Sequence, residues 1–381
     1  LLLCTSSICK QKQFKKSAIV CQIINHITDI IVNLKSTFTI SIFLFLFIGP
    51  LAKAQTNGVS VYKFLNLTSS ARAAALGGNF MAIKDGDLSQ VLFNPSAISK
   101  ETDNKLALSF VDYYSDISYG YASYANSFEK IGSYAATIQY ISYGNFVYAD
   151  QNGQTGGNFT ASELAMVLGW GRELDSLFSI GANLKMIYSG YEDYTSYGLA
   201  VDIAGSYINP EHNLTVSLTA RNIGTQLKPF VSRNIESLPL EINLGVTQKL
   251  KHLPFRYSII LTNLHKWDLT YYDPNDPNNK VDPFTGEPQK KDAFETFLDK
   301  AMRHVVIGGE LLPTKNLSLR IGYNYQRRQE LGIYNKMGTV GFSWGIGLRI
   351  SKFQLDYSRA TYHLNGSPNY ITISTKLSDL F

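Results

Sequence analysis

The run Phe178-Ser179-Ile180-Gly181-Ala182-Asn183-Leu184-Lys185-Met186-Ile187-Tyr188 decides the fold. Phe178, Ile180, Ala182, Leu184, Met186 and Tyr188 make one apolar face, and Ser179, Gly181, Asn183 and Lys185 make the opposite face mostly polar. A period of two is a strand, because successive side chains of an extended chain point to opposite sides. The same alternation recurs over 214–221 and 317–326. Working outward, the chain divides into fourteen such segments: 105–112, 115–126, 131–142, 159–172, 177–189, 194–207, 213–223, 238–249, 255–265, 303–311, 316–327, 337–349, 352–360 and 369–377.

The connectors sort by parity. Those after even-numbered segments are brief, as at 127–130, 173–176, 208–212, 250–254 and 312–315. Several after odd-numbered segments are long, namely 143–158, 224–237 and 266–302. An even-stranded barrel with both ends in the periplasm has this split, with tight periplasmic turns and longer extracellular loops. A soluble sandwich or propeller has no reason to sort its loops this way. The expected fold is therefore all-β, a 14-stranded antiparallel transmembrane β-barrel in the outer membrane, with membrane lipid as its immediate surroundings. Tyr113, Tyr114, Tyr188, Tyr191, Tyr194 and Tyr197 cluster near segment ends as an aromatic girdle would, and Phe381 supplies a terminal aromatic.

Ahead of the barrel, residues 1–34 show no clear period and read as upstream sequence. Lys35, the apolar run 38–51 and Ala52-Lys53-Ala54 read as a signal peptide cleaved after Ala54. A spanning helix is the competing reading, but the run is shorter than the roughly 20 residues a span needs and contains Pro50. Residues 1–54 carry six Lys and one Asp, which accounts for the whole net charge of +5, so the basic balance does not point to nucleic acid. Cys4, Cys9 and Cys21 also lie there, which leaves no thiolate chemistry or disulfide to the remainder.

Taking the apolar side as lipid-facing, the ionisable residues turned inward are Glu163, Lys185, Asp202, Arg221, Glu241, Arg256, Glu310, Arg320, Arg349 and Asp356. Their signs nearly alternate, which allows Arg221 to pair with Glu241 near the outer end and Arg256 with Glu310 near the periplasmic end. Polar lumens are common in such barrels and some alternation arises by chance. The sharper reading is a filled lumen with its charges neutralised, since a wide porin usually presents one dominant field and a conduit for apolar ligands wants an apolar lining.

Residues 55–104 are the candidate plug. They contain Val61-Tyr62-Lys63-Phe64-Leu65, the small-residue run 69–78, Asp85-Gly86-Asp87 and Asn94-Pro95-Ser96-Ala97. Small residues let a backbone pack closely on barrel walls; an exposed periplasmic tail is the alternative. The barrel proper is then 105–381.

At these residues a family resemblance emerges. Phe64-Leu65-Asn66-Leu67 with 71–78 and Asn94-Pro95-Ser96-Ala97 resembles the start of the PorV/PorQ family, relatives of the long-chain fatty-acid transporter barrels. The runs 221–229 and 263–270 look like the PorQ branch, and the likeness extends from about Tyr62 to the C-terminus. The resemblance implies a place in the attachment complex of the type IX secretion system. There such a barrel anchors a PorZ-like surface protein, beside other complex members, and lipopolysaccharide is joined to secreted cargo. The transporter relatives imply instead the passage of hydrophobic small molecules, and a passive porin is a third possibility.

The longest connector has a Pro-, Asn- and Asp-rich half, 271–280, followed by Ala293, Phe294, Phe297, Leu298, Ala301 and Met302 at helical spacing. Trp267, Tyr271, Tyr272, Phe294, Phe297 and Leu298 are the candidate docking residues for a surface partner; alternatively the helix covers the barrel mouth with its own apolar face. Asp273, Asp276 and Asp282 lack the glycine and distal Glu of a calcium loop. His212, His252, His265, His304 and His363 stand singly, and no nucleophile elbow is present, so no cofactor, metal or catalytic residue is expected. Asp85 and Asp87 read as a solvated turn.

Overall fold

The computed structural model describes residues 60–270, 292–332, 338–363 and 366–380. Its strands are β1 Lys105–Asp112, β2 Ser118–Phe128, β3 Gly132–Ala149, β4 Thr155–Glu173, β5 Phe178–Tyr191, β6 Tyr194–Asn209, β7 Leu214–Lys228, β8 Glu241–Lys249, β9 Phe255–Leu261, β10 Val305–Leu311, β11 Leu317–Asn324, β12 Phe342–Ile350, β13 Phe353–Ala360 and β14 Asn369–Lys376. Each pairs antiparallel with its sequence neighbours, and β1 closes on β14 from Lys105↔Lys376 to Asp112↔Asn369. The chain is a closed 14-stranded antiparallel β-barrel.

Its surface is inverted relative to a soluble protein. Along β5, Phe178, Ile180, Leu184 and Met186 are exposed at 38–48%, whereas Ser179, Asn183 and Lys185 are at most 2% exposed. The exposed apolar band continues around the wall through Leu108, Ile138, Leu168, Leu218, Ile259, Ile321 and Ile373. In water such a belt would be a severe liability, and in hydrocarbon it is the required surface. Closure pairs the backbone polar groups that hydrocarbon cannot solvate. The barrel therefore resides in the cell outer membrane. One end carries the connectors 129–131, 174–177, 210–213, 250–254, 312–316 and 351–352, and the opposite end carries the long 229–240, 262–304 and 325–341. The short-turn end is periplasmic.

Three stretches depart from the sequence reading. The expected loop 143–158 is mostly strand: β3 runs to Ala149 and β4 starts at Thr155, with register shifts after Ser142 and Val147. Gly144, at φ 86°, supports the first shift, and Phe146 stacks on Phe159 at 5.1 Å. This hairpin stands in solvent on both faces, so pairing survives there without amphipathic alternation. Likewise β7 continues to Lys228, which shortens the expected loop 224–237. The segment expected to run to 327 stops at Asn324, whose side chain accepts a hydrogen bond from the Arg327 amide at 2.9 Å and starts a helix over Tyr325–Leu331. Capping by Asn outcompetes the short run of alternation.

The core lies in the bore. Residues 61–98 pack against small or apolar wall positions including Ala107, Val111, Tyr121, Ala165, Val167, Ala200 and Tyr370. Where inner backbone approaches the wall most closely the wall is glycine. A Cβ on Gly181 would lie 2.3 Å from the Pro95 carbonyl carbon, and one on Gly322 would lie 2.1 Å from the Gly77 nitrogen.

Candidate functional site

The occupied bore and its two mouths form the candidate site. The inner segment enters at the extracellular rim, where the Val61 amide donates to the Ser237 carbonyl at 3.0 Å. The Tyr62 hydroxyl then meets Ser196 Oγ at 2.5 Å, and the Phe64 carbonyl accepts from Gln139 Nε2 at 3.2 Å. Deeper, the short helix α1, Ala71–Ala75, is capped by Ser70 and ends at Gly77 and Gly78, both with positive φ. Wall hydroxyls satisfy backbone groups that the helix ends leave open: Thr372 accepts from the Ala71 amide, Ser343 accepts from the Gly77 amide, and Ser343 donates to the Ala75 carbonyl. Alanine suits α1 because a larger side chain would not fit between helix and wall.

Asn94, Pro95, Ser96 and Ala97 are all buried, and form a 3-10 turn against β4 and β5. Asn94 Oδ1 accepts from the Ser96 amide at 2.9 Å, and its Nδ2 donates to the Met81 carbonyl at 2.6 Å and to Ser206 Oγ at 3.1 Å. Asn caps the turn, Pro occupies the first position, where no N–H is needed, and the small residues admit Gly171 and Gly181 of the wall.

The charged residues form three ion-paired groups, with Glu163 and Arg349 outside them. Arg221 and Glu241 pair at 3.0 Å near the outer end, and Lys185 and Asp202 pair at 2.8 Å, both nearly dry. Glu163 has no cation among the described residues; Tyr143 donates to it at 2.5 Å and Ser189 at 2.8 Å. The third group is centred on Glu310, which accepts from Arg72 at 2.9 and 3.0 Å, from Arg256 at 3.0 Å and from Arg320 at 2.8 Å. Arg320 also pairs with Asp356. Arg349 corrects the sequence reading in part: its parity is inward, but it lies beyond the packed bore at the periplasmic opening, is exposed, and among the described residues its side chain hydrogen-bonds Gln354 rather than a charge partner.

Three members of the central group were missed. Arg72 uses all five of its N–H donors, to Glu310, Asp85 and Asp87. Asp85 is also 2.8 Å from Arg256. Asp85 and Asp87 are therefore partly buried ion-pair partners rather than a solvated turn. The available signal was the surplus of arginine at 256 and 320 on the wall and a lone Arg inside an Ala run.

The two mouths differ. At the extracellular end, helix α2, Ala293–Arg303, is capped by Asp292, and none of its residues is buried. Phe294, Phe297 and Leu298 are 68, 55 and 49% exposed, and Trp267, 53% exposed, lies 5.4 Å from the Phe297 ring and 5.7 Å from His304. The apolar face is thus in solvent and does not cover the mouth. Tyr271 and Tyr272 lie outside the described residues. Lys300 ties α2 to Asp268 at 2.7 Å, and the Tyr325 hydroxyl donates to Asp299 at 2.9 Å. Of the rim tyrosines, Tyr188 and Tyr197 are exposed on the outer face as a girdle and Tyr194 is exposed at the hairpin tip, whereas Tyr113 and Tyr191 turn inward onto Tyr362 and Phe230.

Hydrogen bonding from Lys300 holds the Asp268 carboxyl well below its usual range. The folded state therefore favours the carboxylate, so the tie is complete above the ordinary carboxylate range and is lost as pH falls through the lowered value. Asp268→Asn at neutral pH is expected to speed amide exchange across 293–303 while leaving the strands protected, read by hydrogen-exchange mass spectrometry.

Among the described residues there is no cluster of metal-ligating side chains, and no helix long and apolar enough to cross a membrane. No protein-family model matches the chain, and no curated protein does. Solved structures similar in fold include the Pseudomonas putida toluene transporter TodX, at 10% identity and TM-score 0.47, covering 81% of this chain and 96% of that one. A Pseudomonas aeruginosa FadL homologue is similar at 9% identity and TM-score 0.44, covering 81% and 98%. The CymD monoaromatic hydrocarbon channel is similar at 11% identity and TM-score 0.43, covering 81% and 97%.

Proposed function

We propose that this chain is a sealed, non-enzymatic outer-membrane barrel that mounts a surface assembly, and that its inner segment acts as a permanent plug. The observation that carries the reading is the bore itself. Residues 61–98 pack through it, and the Arg72 group ties the segment to β9 and β10 by charge-assisted hydrogen bonds. A lumen filled in this way and lined by paired charges suits neither a water pore nor a conduit for apolar molecules. The working surface is then the extracellular rim, where α2 and Trp267 expose an apolar patch. Taken with the sequence resemblance, this favours the attachment complex of a type IX secretion system, with a PorZ-like surface protein as the partner seated on the rim.

The test is recovery of the partner. Tagged barrel purified from native outer membranes is expected to bring down a surface protein. The triple variant Phe294→Ser, Phe297→Ser, Leu298→Ser is expected to lose it while migrating as a folded, heat-modifiable barrel. A deletion strain that still secretes and surface-attaches its cargo would defeat the proposal.

A second reading, movement of hydrophobic small molecules, draws support from the outer third of the bore, where Tyr113, Tyr143, Phe230 and Tyr362 pack as half-buried aromatics. It requires that deletion abolish uptake of such a compound.

A further inference from the structure

The periplasmic mouth opens on a vestibule of about 780 Å³ whose floor is the Arg72 group. That floor is ion-paired internally, with a surplus of one carboxylate, since Arg72, Arg256 and Arg320 face Asp85, Asp87, Glu310 and Asp356. The rim is not. Lys105, Lys249, Lys315, Arg349, Lys352 and Lys376 all line the opening, and none of them forms a salt bridge among the described residues.

Two features make this more than a solvated basic edge. First, the barrel register places basic residues against one another: Lys105 lies directly across from Lys376 at the β1–β14 seam, and neither forms a salt bridge among the described residues. Like charges opposite each other on paired strands are destabilising, so the arrangement costs stability unless an anion offsets it. Second, Lys105, Lys249, Arg349 and Lys376 share the inward parity of the buried residues Ala107, Thr247, Gly347 and Thr372, so they converge on the vestibule rather than fan out over the membrane edge. Asp379 is the one carboxylate on this rim among the described residues, and a concave opening with such an excess of cations focuses a positive field on itself. The size lies within the range of small-molecule sites, about 300–1,000 Å³.

We propose that the periplasmic vestibule is a binding site for a multivalent phosphate group. Several ammonium groups converging from separate turns suit a ligand whose charge is spread over oxygens around a centre. The phosphate is presented either by a free periplasmic phosphoester or by an anionic lipid headgroup reaching over the rim. The inference is independent of what the extracellular rim carries.

The full chain in zwitterionic detergent is titrated with pyrophosphate by calorimetry at about 0.15 M salt. In parallel, phosphatidylglycerol and phosphatidylcholine are offered in mixed micelles and retention is read by native mass spectrometry. Pyrophosphate binding identifies a free phosphoester as the ligand class, and selective retention of phosphatidylglycerol identifies a headgroup. In either arm the triple variant Lys249→Gln, Arg349→Gln, Lys352→Gln is expected to weaken binding by at least about tenfold. These side chains make no ion pair among the described residues, so heat-modifiability should be unchanged, and Lys266→Gln on the opposite rim should bind like the parent. Absence of binding in both arms, or equal binding by the triple variant, overturns the proposal.

Discussion

Arg72→Met is expected to loosen the inner segment from the wall and to lower the stability of the barrel by about 3–5 kcal/mol, the usual consequence of removing one partner from a buried charge network. Arg72 is 5% exposed and spends all five donors on three carboxylates. Without it, Glu310, Asp85, Asp87 and Asp356 are left with Arg256 and Arg320 alone. Asp87 has no other cation in the network. Three readouts should move together: the temperature at which the heat-modifiable band shifts, protease cleavage within 60–104, and single-channel conductance in a planar bilayer. Arg72→Lys should recover only part of the loss, because three donors on a flexible stem cannot replace a planar fork. A Met variant as stable and as proteolytically closed as the parent would show that the ion group does not hold the segment.

The second large effect is steric. Gly181→Val and Gly322→Val place branched carbon where inner backbone already lies 2.3 Å and 2.1 Å from an ideal Cβ. In both cases the obstructing atoms are main chain, which cannot rotate away. Either the strand or the inner segment must shift, and overpacking of this kind costs about 1–3 kcal/mol or more per site. The strands are locked by continuous pairing on both sides, so the segment is the part that yields. The double variant is therefore expected to assemble as a barrel but to conduct ions steadily, whereas the parent is expected to be silent. Gly156→Val is the control, since a Cβ there meets nothing within 4 Å and the backbone is not in the left-handed region. A silent, protease-resistant double variant would mean that the wall, rather than the segment, absorbs the strain.

Both experiments separate the sealed mount from the transporter reading. If opening the bore chemically or sterically leaves surface attachment of cargo intact, the seal and the mount are separate properties of the chain. If hydrophobic uptake rises instead, the inner segment is a gate.

Much of the wall was legible from residues alone because a membrane strand must alternate. Phe178 to Tyr188 could have been read in no other way, and the lipid and lumen faces followed from parity. Legibility failed wherever one face no longer met lipid. The hairpin above Ser142 is solvated on both sides, so its strands carry no alternation to read, and Asn324 ended β11 through a capping bond that a period count does not see. Within the site, Arg221 with Glu241 and Arg256 with Glu310 could be paired from neighbouring strands because the register constrains them. Arg349 could not be excluded by the same logic, since parity places a side chain inward without saying whether anything lies opposite it.

The sequence by itself determined the strand count, the sidedness of each strand, the end that carries the long connectors, and the absence of cysteine chemistry beyond residue 54. Those are local or periodic properties, set by what hydrocarbon and water each accept. Only the tertiary structure decided that Arg72, Asp85 and Asp87 complete the Glu310 group, that Gly181 and Gly322 are contact points for the inner segment, and that unpaired lysines converge on the periplasmic mouth. Arg72 and Glu310 are separated by 238 positions in the chain, and no periodicity spans that distance. Their meeting depends on closing a barrel around a segment threaded through it, so the information resides in the closure.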